Sequence, residues 1–252
     1  MAEKENELKS KIQKLQELVD KSSRIVFFGG AGVSTESGIP DFRSRDGLYN
    51  QKWKYPPEEI ISAPFYFSHT KEFYEFYREK LIIRGIKPNA AHLKLAEWEE
   101  KGKLLSIVTQ NIDGLHQAAG NKNVWELHGS TLRNFCRKRQ KLYDIDFVAD
   151  KKNDCEEGYP RCPECGGMIK PDVVLYGEGL DPHVIEGACA SLAAADLLII
   201  GGTSLTVYPA AGLINYYRGK DIVLINRDPG PGDSSATLVI HHSIGEVLGA
   251  LA

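Results

Sequence analysis

The sequence predicts an α/β fold: a doubly wound, Rossmann-like parallel sheet with a smaller domain inserted into it. Three observations lead there. Short apolar runs ending at glycine or polar residues recur along the chain and alternate with helical periodicity, the pattern of a parallel sheet covered on both faces. A glycine-rich segment, Gly30-Ala31-Gly32, follows the first of these runs directly. Between residues 136 and 168 the alternation breaks into a charged stretch that carries most of the cysteines.

Taken in order, Leu8, Ile12, Leu15, Leu18 and Val19 recur at helical spacing and predict an amphipathic N-terminal helix. Residues 25–28 (IVFF) read as a buried strand, and the glycines after it let backbone approach a phosphate with no side chain in the way. The spacing departs from the dinucleotide fingerprint, which wants its third glycine at Thr35; Gly38 comes three residues late. A nucleotide is therefore expected here, held differently than in a hydride-transfer dehydrogenase. Residues 63–84, bracketed by Pro64 and Gly85, predict an aromatic-rich helix that packs a small core or walls a cleft. Residues 89–100 predict another helix, with Ala90, Leu93 and Trp98 on its apolar face. Residues 104–108, 124–127, 173–176, 197–200, 222–225 and 238–240 supply the remaining strands. In such sheets ligands sit beyond the carboxyl ends of the strands, where the polar motifs of this chain fall.

The 252 residues, 42% hydrophobic, can bury one large core or two unequal ones. A net charge of −3, from 31 basic and 34 acidic residues intermixed, gives no global basic field, and no direct nucleic-acid binding is expected. The local run Arg137-Lys138-Arg139-Gln140-Lys141 reads as a solvated face. The charged N-terminus has no signal core and no apolar stretch is long enough to span a bilayer, so no membrane association and a cytoplasmic location are expected.

Five cysteines, four of them clustered, suit a metal module in a reducing compartment better than a disulfide framework. Cys162-x-x-Cys165 followed by two glycines is a good zinc knuckle. Its partner should be another Cys-x-x-Cys, but the chain reads Cys136-Arg137-Lys138-Arg139, and arginine cannot ligate zinc. Either Cys155 supplies the fourth ligand from another loop, or zinc is held weakly or lost. Cys189 lies in an apolar helical segment and reads as a packing residue.

The blocks GAGVS, SGIPDFRS, TQNIDGLH, ELHGS, the cysteine module, KPDVVLYGE, GGTSLTVYPA and INRD, in this order from about Lys21 onward, resemble the sirtuin family of NAD-consuming protein deacylases. The resemblance implies a discontinuous NAD-binding domain (1–48, 86–131, 170–252) and a small domain of helical segment plus zinc module (49–85, 132–169). It implies NAD as co-substrate, structural zinc, and acyl-lysine proteins or peptides as partners. His128 is the implied catalytic base, with Asn111 beside it, and an imidazole suits proton transfer near neutral pH. His116 lies in a neighbouring block and is expected to support the site. Implied NAD contacts are Gly30, Ala31, Gly32, Thr35, Asp41, Phe42, Arg43, Gln110, Ile112, Asp113, His128, Gly202, Thr203, Ser204, Asn226 and Ile244. Asn111 and Asp113 are implied to form the nicotinamide pocket, since an amide beside a carboxylate complements a carboxamide. Val174, Tyr176, Gly177 and Glu178 match the strand on which an extended peptide pairs. Tyr176 stands where most members have Phe. The Tyr-x-x-Arg pair for acidic acyl groups is absent, for Tyr74 is followed three residues later by Tyr77 and Tyr77 by Lys80, so neutral acyl groups are expected.

The implied reaction begins when the acyl-lysine oxygen attacks the anomeric carbon of NAD as nicotinamide leaves. His128 then activates a ribose hydroxyl, and water completes transfer to give free lysine and 2′-O-acyl-ADP-ribose. Two alternatives stay open: mono-ADP-ribosyl transfer, and a non-catalytic NAD-binding regulator.

Overall fold

The computed structural model describes residues 2–44 and 46–252. Helix α1 (Ala2–Lys21) leads into strand β1 (Ile25–Gly29). Short helices α2 (Pro57–Ile60), α3 (Ala63–Ser68) and α4 (Thr70–Phe76) precede α5 (Ala90–Glu100). Strand β2 (Leu104–Thr109), helix α6 (Leu115–Ala119) and strand β3 (Val124–Glu126) follow. Next come β4 (Gly129–Cys136), β5 (Leu142–Asp144), α7 (Ile145–Ala149) and β6 (Ile169–Val173). The chain ends with α8 (Pro182–Ala194), β7 (Leu197–Gly201), β8 (Asp221–Asn226), β9 (Leu238–His241) and α9 (Ile244–Gly249).

Six strands form a parallel sheet in the order β3-β2-β1-β7-β8-β9. The strand period of two sends Ile25, Phe27, Leu197, Ile199, Val223 and Ile225 into one core with Leu15, Leu95, Trp98 and Leu248 of α1, α5 and α9. Val26, Phe28, Leu198 and Ile200 enter the opposite core with Ala188 and Leu192 of α8. Each such side chain removed from water contributes about 1.5–3 kcal/mol, which is why a sheet buried on both faces reads as unbroken apolar runs. Among the described residues no helix is long and apolar enough to cross a membrane.

Three expectations about elements need correction. Ala90 and Leu93, expected on the apolar face of the 89–100 helix, are exposed, and α5 instead buries Ala91, His92, Leu95 and Trp98. Residues 173–176 were expected as a strand of the parallel sheet. The strand instead runs over Ile169–Val173 and joins a separate antiparallel sheet, β5-β4-β6, because its hydrogen bonds go to β4. The helix expected over 63–84 is broken at His69, where Ser68 Oγ bonds Pro64 O and His69 Nδ1, and it ends in a π-helical turn, Tyr77–Leu81. Its aromatics Phe65, Tyr66, Phe73, Tyr74, Phe76 and Tyr77 pack with Tyr143, Val148, Ile169 and two cysteines into a third core. Tyr66 and Tyr74 both donate to Ile169 O, at 2.8 and 2.5 Å, tying the helices to β6.

Candidate active site

A cleft of about 740 Å³ opens beyond the carboxyl ends of the parallel strands and is closed on its far side by the aromatic helices. After β1 it is lined by Gly30, Ala31, Gly32 and Thr35, then Asp41, Phe42 and Arg43. Gln110, Asn111, Ile112 and Asp113 enter after β2, and His128 after β3. Val174, Tyr176, Gly177 and Glu178 arrive from the end of β6, Gly202, Thr203 and Ser204 from β7, Asn226 from β8, and Ile244 from the start of α9. The sheet order brings together residues as distant in sequence as 30 and 244.

The glycines serve a loop crossing. A Cβ on Gly30 would lie 2.8 Å from Thr203 Cβ, and one on Gly32 would lie 2.7 Å from Gly202 Cα. Gly202 adopts φ +61° and would drive a Cβ to 2.3 Å from Val33 N. The glycines thus let the loop after β1 and the turn after β7 cross in close contact at the edge of the cleft. Asn226 fixes that turn by accepting from Thr203 N (3.0 Å) and donating to Thr203 O (2.9 Å). Gln110 Nε2 donates to Thr203 Oγ1 at 3.0 Å, joining the β2 and β7 ends.

A buried polar relay forms the floor. Asn111 Nδ2 donates to Ser34 Oγ (3.1 Å), whose hydroxyl donates to Asp113 Oδ2 (2.7 Å), while Asp113 Oδ1 accepts from Leu115 N (2.9 Å). Ser34 belongs to the GAGVS block, and its one sequence signal is a hydroxyl two residues after Gly32. Behind the relay lie two buried imidazoles, His92 and His116, with ring centroids 4.8 Å apart. Burial holds His92 down at about 4 and His116 at about 3, so both are neutral near physiological pH.

His128 Nδ1 lies 3.0 Å from the backbone carbonyl of Gln110. A carbonyl only accepts, so Nδ1 carries the proton and Nε2 keeps a free lone pair. Burial lowers the pKa of His128, opposed in part by the same hydrogen bond. Near neutral pH the ring is thus an unprotonated base of fixed tautomer.

On the opposite wall stand Tyr77 and Lys80, from the aromatic segment expected to wall a cleft, and Tyr49 and Ile61, which sequence reasoning missed. Tyr49 Oη and Tyr176 Oη are 2.7 Å apart, bridging the loop after β1 to the segment after β6. Burial, then this bond, raises the Tyr49 pKa. Tyr77 Oη is buried without a hydrogen-bond partner among the described residues. The segment at 174–178 is a turn, with Glu178 N bonded to Leu175 O and Gly177 at φ +91°. Tyr176 N and O are already engaged by Ile61 O and Ala63 N.

The sulfurs of Cys136, Cys162 and Cys165 lie within 4.8 Å of one another. Thiolates sharing one tetrahedral zinc at ~2.3 Å sit about 3.8 Å apart, so the three fit a zinc ion. Tyr143 Oη donates to Cys162 Sγ at 3.0 Å and, as the main cause, holds that thiol down at about 6. Cys155, expected as an alternative fourth ligand, is not brought to this cluster: its thiol donates to Tyr159 O (3.1 Å) within its own turn.

Comparison with known proteins places these features in context. The model of the Sir2 family matches residues 30–209. An NAD-dependent protein deacetylase of Clostridium perfringens is 59% identical over 242 residues, covering 95% of this chain and 97% of the relative. One from Clostridium acetobutylicum is 56% identical over 243 residues, 96% of this chain and 98% of the relative. Among solved structures, a Sir2 variant with a deacetylated p53 peptide and 3′-O-acetyl-ADP-ribose aligns with TM-score 0.86 at 38% identity, covering 94% of this chain and 95% of that one. A Sir2 with p53 peptide and NAD+ aligns with TM-score 0.83 at 38% identity over the same shares.

Proposed function

The chain belongs to the Sir2 family, and from that membership we propose how its own residues divide the work of the cleft. It is an NAD-dependent protein deacetylase. The substrates we propose are acyl-lysine proteins or peptides with neutral acyl groups, acted on in the cytoplasm, where a reducing milieu suits five free cysteines. The division we propose assigns 1–48, 86–131 and 170–252 to the NAD-binding domain and 49–85 with 132–169 to the small one.

NAD supplies an anomeric carbon that gives up nicotinamide and a ribose hydroxyl that receives the acyl group. Asn111 and Asp113 hold the carboxamide, with the Ser34 hydroxyl fixing their relative orientation. Ile112 packs on the ring, and Phe42 shields the reacting carbon from water. Arg43, held 5.5 Å over the Tyr49 ring, pairs with the pyrophosphate. Gln110 and the turn at Gly202, Thr203 and Ser204 bind ribose and phosphate. His128 takes the ribose hydroxyl proton onto Nε2. The observation that carries this reading is the Gln110 carbonyl on Nδ1, since it leaves Nε2 as the basic nitrogen of a ring already neutral at working pH. Zinc on the three cysteines would supply structure to the antiparallel sheet.

One assay tests the reading. Acetyl-lysine peptide and NAD should give free lysine, nicotinamide and O-acetyl-ADP-ribose by mass spectrometry. ADP-ribosylated protein instead would establish the transferase alternative, and no turnover with NAD still bound would establish the regulator.

A further inference from the structure

The cysteine cluster departs from a closed structural zinc site in a way that has a chemical consequence. Its three thiols are well built. Cys136 and Cys162 are buried, and Cys136 Sγ lies 3.5 Å from Cys165 Sγ. Both turns carrying them are closed by backbone bonds, Gln140 N to Cys136 O (2.8 Å) and Gly166 N to Cys162 O (2.8 Å). Gly167 leaves the cluster room, for a Cβ there would sit in tight contact, 3.0 Å from Cys136 Sγ. The cluster is therefore a preformed three-sulfur cradle.

Among the described residues no further Cys, His, Asp or Glu joins the three sulfurs. Arg139 stands where the second cysteine of the first knuckle would, and its side chain, 58% exposed, turns outward to Glu164 at 3.5 Å. Lys141 pairs with the same carboxylate, so Glu164 is engaged from two sides. Cys155 is tied to its own turn. Tyr143 spends its hydroxyl on Cys162 as a donor to sulfur.

We propose that this chain binds zinc through Cys136, Cys162 and Cys165 alone, leaving the fourth tetrahedral position open to a small-molecule thiol from solution, with water there until one arrives. Zn²⁺ held by three thiolates gives a site of net charge −1, with the protons still on the sulfurs passing to solvent. A thiol that replaces the water enters as thiolate, releases one further proton and brings the charge to −2. Lys141, paired with Glu164, lies within electrostatic reach of Cys162. An open vertex is the arrangement of a reactive zinc site, here placed away from the cleft.

The test uses the full chain loaded anaerobically with Co²⁺, whose visible absorption reports its ligand set, together with zinc content after dialysis against a chelator. The expected outcome is about one metal per chain, and a cobalt spectrum that shifts saturably as ethanethiol is added. Cys155→Ser should leave spectrum and stoichiometry unchanged. Arg139→Cys should start at the thiol-saturated spectrum, ignore added ethanethiol, and hold zinc against chelator at least tenfold more tightly. A wild-type spectrum that ignores ethanethiol overturns the proposal. Its loss in Cys155→Ser or in Tyr143→Phe would then identify the side chain that closes the site. Wild-type protein that retains no metal where Arg139→Cys does also overturns it. None of these readouts depends on deacetylation, so failure here leaves the reading of the cleft untouched.

Discussion

In the six-stranded sheet every residue of β1 and β7 is buried, and the strands are sandwiched between two apolar cores. In the three-stranded sheet β5 exposes both of its end residues, β4 buries only half of its length, and the core beneath is built from aromatic rings and thiols. The first region fixes its functional groups by backbone. Loops leave strand ends whose positions are set by two cores, and Gly202, Gly30 and Gly32 lock the loops against each other. The second region packs a substantial core of its own and adds side-chain chemistry to it, namely tyrosine hydroxyls on Ile169 O and a sulfur cluster suited to metal. Catalytic geometry is thus carried by the part of the molecule that needs no metal to hold its shape. The part that carries the sulfur cluster supplies a wall.

The largest effect that would break this comparison concerns the sheet-borne base. His128→Ala should lower deacetylation by about two to four orders of magnitude while leaving NAD binding nearly intact, because Nε2 acts only in proton transfer. Steady-state rates beside calorimetric NAD titration check this, and wild-type-like turnover would remove His128 from the role. The same nitrogen sets the pH profile. With its pKa below 6.5, the acid limb of kcat/KM should fall below pH 6.5 and shift upward if the Gln110 carbonyl contact is disturbed in the direction of greater exposure.

Much of this was legible in the sequence for the sheet and little for the wall. The apolar runs at 25–28, 104–108, 197–200 and 222–225 each became a strand of the parallel sheet, since burial on both faces leaves a signal needing no context. The run at 173–176 misled because an apolar stretch of four does not say which sheet it joins; Ile169–Val173 alternates buried and half-buried residues, the mark of a one-sided strand. Strand β4 was missed because it is interrupted by polar Asn134, buried at 0% exposure, and by Arg133, which is bound to Asp172 and Glu126. The break at His69 is marked by bonds of the Ser68 hydroxyl within its own turn, whereas the pairing of Tyr49 with Tyr176 is a tertiary fact with no local signature.

The next effect tests whether the sheet region tolerates acid. His92 and His116 are neutral in the fold down to about pH 4 and 3, whereas in the unfolded chain each takes a proton near 6.5. Below 6.5 the unfolded state binds more protons, so stability is fully present above that pH and falls as pH drops toward 4. Each histidine should cost about 1.4 kcal/mol per pH unit in this window. Denaturant midpoints at pH 7.0 and 5.5 measure the loss, and His116→Gln should make the slope shallower. A midpoint indifferent to this change would show that the pair is hydrated or paired.

A smaller effect is expected in the floor of the cleft. Asp113→Asn keeps the shape but replaces the charged acceptor of the Ser34 hydroxyl, an interaction of about 1.5–3 kcal/mol. NAD use should fall by about 10- to 100-fold, and inhibition by added nicotinamide should weaken in parallel. If the two responses separate, with NAD use impaired and nicotinamide inhibition unchanged, Asp113 acts on the loop rather than on the carboxamide.

The smallest effect lies where the two regions meet. Tyr176 belongs to the segment after β6 and Tyr49 to the loop after β1, so their 2.7 Å hydroxyl contact spans the cleft mouth. Tyr176 is 41% exposed, and its ring stays seated if the hydroxyl alone is removed. Tyr176→Phe deletes one neutral, partly solvated hydrogen bond worth about 1 kcal/mol and leaves the other phenol free to meet water. Fold and Tm should therefore be unchanged within error. The loop carrying Phe42 and Arg43 also carries Tyr49, whose ring packs on Phe42 at 5.4 Å, so loosening that ring loosens both side chains. The expected result is a KM for NAD raised about fivefold with kcat nearly constant, the signature of a loop that orders less readily before chemistry begins. Tyr49→Phe should reproduce it, and the double variant should cost no more than either single one. Additive losses would mean that the two hydroxyls act on different partners, and the bridge across the cleft would lose its role.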